Sequence, residues 1–297
     1  MPDESRHAAP DAPARQAGRA GLARRLARDW RAVAALVVLG LLVLASLLGP
    51  FVWRADPDTL DLARAASPPG AGHPLGTDES GRDILSRLLV GGRVSLAVGA
   101  AAVLFAALVG VSLGALAGLG GRRADAVVMR FTDAMLSIPA LFLVIAALTF
   151  FGTTIGGLVI AIGATSWMGL ARLVRGELLA IREQTYVEAA RALGAPPLRV
   201  LARHALPHLL PTAVVSTTFG IGTAILTESA LSFLGFGVQP PTASWGNMLT
   251  NAQSYLHAAP WLAVYPGVLI LLTVVAVNVL GDALRDATDP QRADAPD

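Results

Sequence analysis

The sequence predicts an all-α integral membrane protein with six transmembrane helices and both termini in the cytoplasm. Three observations predict it. Of the 297 residues, 54% are hydrophobic and only 15% charged, against about 25% charged in a typical soluble domain. Charge-free stretches recur that are long enough to cross a bilayer, which takes about 20 apolar residues. The arginines are segregated onto alternate connecting segments, as expected of a chain whose short cytoplasmic loops carry the positive charge.

The elements follow in order. Residues 1–21 hold few large apolar side chains and are expected to be a disordered cytoplasmic tail. The next unit, 22–53, pairs the basic amphipathic stretch LARRLARDWR, suited to the anionic inner leaflet, with a first span at 32–53 between Arg31 and Arg54. That apolar run is longer than the roughly 7–15 residues of a signal peptide core, so it is read as a retained helix. An extracytoplasmic segment at 54–93 contains SPPGAGHPLGTDESG, with a turn from Asp78 to Gly81 and then a helix at 82–92. The core, 94–284, opens with a second span at 94–121. The charge-free stretch 134–171 is too long for one helix, and FGTTIGG at 151–157 breaks it into an antiparallel pair. A fifth span covers 209–233 and a sixth 260–281, and residues 285–297 form a cytoplasmic tail. With the N-terminus inside, the inner segments hold eighteen arginines and the outer segments five, all five in 54–93 beside six acids.

Composition also excludes chemistry. All 23 basic residues are arginine, so there is no P-loop lysine for nucleotide phosphates and no Schiff-base lysine. The absence of cysteine removes thiolate nucleophiles, disulfides and cysteine metal sites. A net charge of +2 gives no reason to expect nucleic acid as a partner.

One cytoplasmic segment, 173–207, is unlike the rest. Leu173 to Leu193 reads as a helix, with Leu178, Ile181, Tyr186, Ala189 and Leu193 near helical spacing. Gly194 suits the left-handed position past a helix end. Pro196 and Pro197 prevent continuation, and LRVLARHAL is expected to form a second short helix before Pro207. Two helices at a fixed angle beneath a membrane are suited to transmitting force from a separate protein.

EAA at 188–190, Gly194 and, after nine intervening residues, HALP resemble the cytoplasmic EAA motif of bacterial ABC importer permeases. HPLGTDESGRDILSRLLVGGRVSL (73–96), SIPALFLVI (137–145), LTESALSFLGFGVQPPTASWGNML (226–249) and VNVLGDALRDATDP (277–290) resemble the peptide-importer branch, and within it the second permease subunit of dipeptide and oligopeptide transporters. The resemblance covers roughly 25–290. It implies a five-helix ABC importer permease core preceded by one extra helix, in the cytoplasmic membrane of a bacterium. It implies Glu188, Ala189, Ala190, Arg191, Gly194 and Pro207 as the element that couples to the ATPase, with Glu188 anchoring it. The implied partners are a second, homologous permease subunit, two cytoplasmic ATPase subunits that bind ATP and Mg2+, and an extracytoplasmic solute-binding protein. The chain itself would bind no cofactor and catalyse nothing. Dipeptides, longer peptides, glutathione and nickel complexes all remain open as cargo.

The other constellations are weighed on their residues. Gly110, Gly114 and Gly118 form a small-residue ridge that permits close helix packing. GVSLG within it matches the hydrolase nucleophile elbow, but that elbow needs a strand–turn–helix, and Ser112 falls mid-span. His204 and His208 are four apart but lack a third metal ligand nearby, and no metal site is expected. Glu228 is the only acid between Glu188 and Asp282. An intramembrane carboxylate usually faces a bundle interior, a partner or a wet path. Glu228, with Thr227 and Ser229, is therefore placed on the translocation path or a subunit interface, unless the span ends early and leaves it near the outer surface. Asp133, a further candidate for that path, is most simply a helix-start partner of Arg130. Trp245, in the outer GFGVQPPTASWGNML, is suited to the membrane interface. The two outer segments either receive a solute-binding protein or form a lid. An ion-driven secondary transporter, the main rival, would show internal repeats and broken midplane helices, and no repeat is visible.

Overall fold

The computed structural model describes residues 25–288, apart from 197, 198, 200–202 and 204. The expected tail at 1–21 and most of the short helix expected before Pro207 lie outside the described residues, as does His204.

Helix α1 (Trp30–Val52) is capped by Asp29, whose carboxylate accepts from the Arg31 N–H. Helix α2 (Ile84–Leu119) is capped by Asp83. Its 36 residues unite what the sequence divides into a helix at 82–92 and a span at 94–121. Charge marks where a helix leaves lipid, but a helix continues wherever its charges find partners. Arg93 does so by donating to the Ser46 and Leu47 carbonyls, each at 2.7 Å. Gly91 and Gly92 do not break the helix either. They let the backbone of Ser244 and the side chains of Ser46 and Trp245 press against it.

After α2 come α3 (Gly121–Leu136), α4 (Ala140–Phe151), α5 (Ile155–Ala164), α6 (Met168–Arg182) and the short α7 (Thr185–Ala192). Helices α8 (Leu206–Phe233) and α9 (Trp261–Thr288) complete the bundle. Among the described residues, α1, α2, α8 and α9 are each long and apolar enough to cross a bilayer. The α3–α4 pair, bent by 100°, and the α5–α6 pair, bent by 42°, bring the count to as many as six if each pair is one span. The third span expected from 134 is interrupted at 137–139, because Pro139 has no N–H to give and disfavours helix at Ile138. What remains, α4 with 12 residues and α5 with 10, rises only about 18 Å and 15 Å. Neither crosses a roughly 30 Å hydrocarbon core alone.

Helix α2 is the centre of the bundle. It packs against α1, α5, α6 and α8, while α9 lies against α1 and α8. The Arg25 guanidinium donates to the Ala287 carbonyl at 3.1 Å, so the start of α1 and the end of α9 lie side by side. At the other end, 54–83 and 235–259 form an ordered cap. Trp53 Nε1 (2.7 Å) and the Ser86 N–H (2.8 Å) donate to the Asp83 carboxylate, which also pairs with His73 Nδ1 at 2.9 Å. Asp78 closes the turn at 78–82 by accepting from the Ser80 and Arg82 N–H groups. Asn251 joins the two cap segments through Glu79 at 3.1 Å.

Candidate coupling and translocation sites

Helix α6 carries the first site. Gly110, Gly114 and Gly118 of α2 face it so closely that a Cβ on Gly114 would stand 2.6 Å from the Ala171 carbonyl and one on Gly118 2.7 Å from Leu178. Three arginines fix its other contacts. Arg182 donates to the Gly118 carbonyl at 2.7 Å, completing the end of α2. Arg175 forms a two-pronged pair with Asp125, and Arg172 pairs with Asp133. Asp133 is thus the partner of Arg172 across two helices, not a helix-start partner of Arg130. It sits in the last turn of α3, a register visible only once α3 is seen to begin at Gly121.

From this clamped helix the chain turns at Glu183 and Gln184 into α7. Val187 is wholly buried and anchors α7, while Glu188 and Ala189 are exposed and Ala190 is half-buried. The side chain of Arg191 lies outside the described residues. Gly194 is exposed with φ +83°, and the Ala195 N–H reaches back to the Ala190 carbonyl at 3.0 Å. This is the six-to-one closure that ends a helix through a left-handed residue. Just before it, Leu193 is 89% exposed, an uncovered leucine at the tip of a polar element. Pro207 is exposed in the first turn of α8, and one residue on the His208 ring tilts against Tyr186, 6.3 Å between centroids. No group of three or more metal-ligating side chains is present among the described residues.

The second site is a cavity of about 610 Å³ between α2, α4, α6 and α8. Its polar wall consists of Thr165, Ser166, Ser216, Thr217, Thr223 and Thr227, and its lining contains no charged side chain. Thr165, Ser166, Thr217, Thr223 and Thr227 each donate their hydroxyl hydrogen to a carbonyl of the preceding helical turn. Their remaining lone pairs make the wall a hydrogen-bond acceptor. Of these residues sequence reasoning singled out only Thr227 and missed the rest. The signal was the recurrence of Ser216, Thr223 and Thr227 along one apolar helix.

Glu228 is placed elsewhere than expected. It is 0% exposed and points away from the cavity and the subunit surface, into the junction of α2, α8 and the cap. Ser95 and Ser232 donate to its two oxygens at 3.1 and 2.8 Å. Ser95 Oγ in turn accepts the Trp245 N–H (3.1 Å), and Ser232 Oγ accepts the Val238 N–H (3.2 Å). The carboxylate thus terminates two relays that hold both ends of the loop 238–245. Ser229 is buried beside it, under Gly246, whose Cβ position would fall 2.5 Å from the Ser229 Cα. Neither residue lines that cavity. Trp245, expected at the membrane interface, is 1% exposed and donates its indole N–H to the Leu88 carbonyl at 2.9 Å. Ser112 lies within the unbroken α2, without the strand and turn of a nucleophile elbow.

A membrane-embedded helical bundle with an uncharged, hydroxyl-lined cavity and a polar helical element projecting from one end defines a permease, a transport subunit rather than an enzyme. The chain belongs to the family described as the binding-protein-dependent transport system inner membrane component, which matches residues 110–294. The N-terminal transmembrane domain of oligopeptide transport permease C matches residues 20–69. The chain is 40% identical to a probable D,D-dipeptide transport system permease protein, DdpC, of Escherichia coli, over 87% of each chain. It is 38% identical to the oligopeptide transport system permease protein OppC of Haemophilus influenzae, covering 90% of this chain and 87% of that one. It is 41% identical to the glutathione transport system permease protein GsiD of Pectobacterium atrosepticum, covering 90% and 89%. Among solved structures, an inward-facing form of the MetNI methionine ABC transporter shares the fold, with a TM-score of 0.57 at 21% identity over 68% of this chain and 97% of that one.

Proposed function

We propose that this chain is one of two homologous permease subunits of an ATP-driven importer of di- or oligopeptides, or of a small peptide such as glutathione. It spans the membrane six times, with both termini cytoplasmic. Two cytoplasmic ATPase subunits bind ATP and Mg2+ and close on the segment around α7 and Gly194, and an external solute-binding protein delivers cargo to the cap. The observation that carries this reading is the form of α7. It is a helix anchored by buried Val187, ended by a left-handed glycine, and it presents Glu188, Ala189 and Leu193 outward. Helix α6, which feeds α7, is clamped to α2 and α3 by Arg182, Arg175 and Arg172, so a push on α7 is delivered to the cavity wall at Thr165, Ser166 and Gly169.

The cavity supports the cargo class. Acceptor oxygens without fixed charge suit the amide N–H and ammonium donors of a short peptide, whose side chains vary and whose backbone does not. The adjacency of Arg25 and Ala287 supports a shared side for both termini, and the excess of arginine on that side supports its being cytoplasmic.

The test is a mild-detergent purification of the tagged chain from its native membrane, wild type beside Glu188→Arg, with co-purifying proteins identified by mass spectrometry. Wild type is expected to bring down ATPase subunits, and Glu188→Arg to lose most of them. Equal retention by both would remove Glu188 from the anchoring role. Absence of any ATPase under several gentle conditions would overturn the importer reading in favour of an ion-driven transporter.

A further inference from the structure

We propose that Ser216 is the hydrogen-bond donor of the cavity, and the residue that fixes how a peptide lies in it. A hydroxyl has one hydrogen to donate and two lone pairs that accept. In five of the six hydroxyl side chains of the wall the donation is already made. Thr165 and Ser166 donate to the Ala161 and Ile162 carbonyls at 2.8 and 2.7 Å. Thr217, Thr223 and Thr227 donate to the Ala213, Phe219 and Thr223 carbonyls at 2.8, 3.3 and 2.8 Å. Each bond turns the hydroxyl back onto its own helical turn and leaves only lone pairs for the cavity. Thr218, outside the cavity, does the same to the Val214 carbonyl at 2.8 Å. Ser216 is the exception. Its hydroxyl makes no hydrogen bond with any described residue, although the Thr212 carbonyl comes one turn before it.

Position makes that free hydroxyl usable. Ser216, Gly220, Thr223, Thr227 and Ala230 all line the cavity and recur at helical spacing, so they share one face of α8. A helical side chain covers the turn N-terminal to its own Cα. The residue placed to cover Ser216 is Gly220, which has no side chain. Peptide backbone carries an N–H donor and a carbonyl acceptor at nearly every residue. The five back-bonded hydroxyls offer acceptors to the first at many points. Among the lining side chains, only Ser216 offers a hydrogen to the second. The lining holds no charge to meet a terminal carboxylate, so the neutral backbone carbonyl is the group that Ser216 takes. A short peptide is then oriented by one carbonyl on Ser216, with its N–H groups on the threonines. The inference rests on the reading of this cavity as the path of a peptide cargo, and adds the residue that orients it.

The experiment is uptake of alanyl-alanine and of its backbone thioamide, whose sulfur is a poor acceptor, by cells that carry the full complex with this chain as its only copy. Any preference of an external binding protein is common to all variants. It cancels when the ratio of the two uptake rates in a variant is divided by that in wild type. One neutral hydrogen bond is worth about 2- to 10-fold. Ser216→Ala is expected to reduce the preference for the oxygen peptide by about this factor, and Thr223→Ala to leave it unchanged. Since Ser216 holds no other part of the fold, Ser216→Ala should melt with wild type. A lower melting temperature would reveal an internal partner for the hydroxyl and overturn the proposal. Ser216→Cys introduces the only cysteine of the chain, a weaker donor, and should give an intermediate ratio. Its thiol should react with a small water-soluble thiol reagent, and more slowly when alanyl-alanine is present. Such protection, with the ratio unchanged in Ser216→Ala, would overturn the donor role and keep the path. A thiol that alanyl-alanine does not protect would overturn the reading of the cavity as the path. Wild type that imports neither peptide would overturn the peptide reading on which the proposal stands.

Discussion

Replacing Glu228 should loosen the cap while leaving the cavity wall intact. Its two oxygens are the acceptors for the hydroxyls of Ser95 and Ser232, and those hydroxyls are the acceptors for the Trp245 and Val238 N–H groups. In Glu228→Ala both hydroxyls lose their acceptor in a site closed to water. Each buried polar group left unpaired costs about 1–3 kcal/mol, so the loss is ~2–6 kcal/mol before any void is counted. Glu228→Gln keeps the shape and one oxygen, but its NH2 cannot accept the O–H of the hydroxyl it faces. One buried hydroxyl left without its acceptor costs about 1–3 kcal/mol. The expected order of thermal stability in detergent, followed by tryptophan fluorescence, is wild type, then Glu228→Gln, then Glu228→Ala. Hydrogen exchange should quicken at 238–247 in the same order. Because Glu228 does not line the cavity, folded Glu228→Gln should keep substrate uptake. Unchanged melting and exchange in Glu228→Ala would refute the relay. Lost uptake in a stable, assembled Glu228→Gln would return the residue to the translocation path.

Three further outcomes are expected. Gly114→Ala places a methyl 2.6 Å from the Ala171 carbonyl and 2.8 Å from the Val174 Cβ, an overpacking that costs about 1–3 kcal/mol and should lower the melting temperature. Gly40→Ala, with nothing within 4 Å, should be neutral or stabilising by the same measurement. Burial, first among its influences and opposed by the Arg82 and Ser80 N–H groups, raises the pKa of Asp78 above the ordinary carboxylate value. A raised folded-state pKa means that the folded chain holds this proton more tightly than the unfolded one. Its contribution is fully present below the unfolded value and is lost as pH rises through the folded value. The stability of wild type relative to Asp78→Asn should therefore grow as pH is lowered through the carboxylate range, and a flat difference across a pH series of thermal melts would contradict this.

The long apolar helices and the helix end at Gly194 were legible because each is a local property of the chain. Hydrocarbon length at 32–53, the left-handed demand at Gly194 and the turn at Asp78 are decided within a few residues. The break at 137–139 was also local. The apolar run masked Pro139, which a reading by charge alone passes over.

The sequence by itself determined that this chain is a membrane bundle, which connecting segments carry the positive charge, and that a helix must end at Gly194. Transfer of apolar side chains out of water and the backbone limits of glycine and proline act residue by residue, so they can be read in a line. Only the tertiary structure decided what the polar residues inside that bundle do. Glu228 holds a loop through two serines, Asp133 belongs to Arg172, and Trp245 seals a junction in place of marking an interface. The hydroxyls of α8 and of the turn before α6 likewise become a cavity wall only when those segments meet. A buried polar group must find a partner, and its partners here lie up to 157 residues away along the chain, so its role is set by which helices come together and not by its neighbours in sequence.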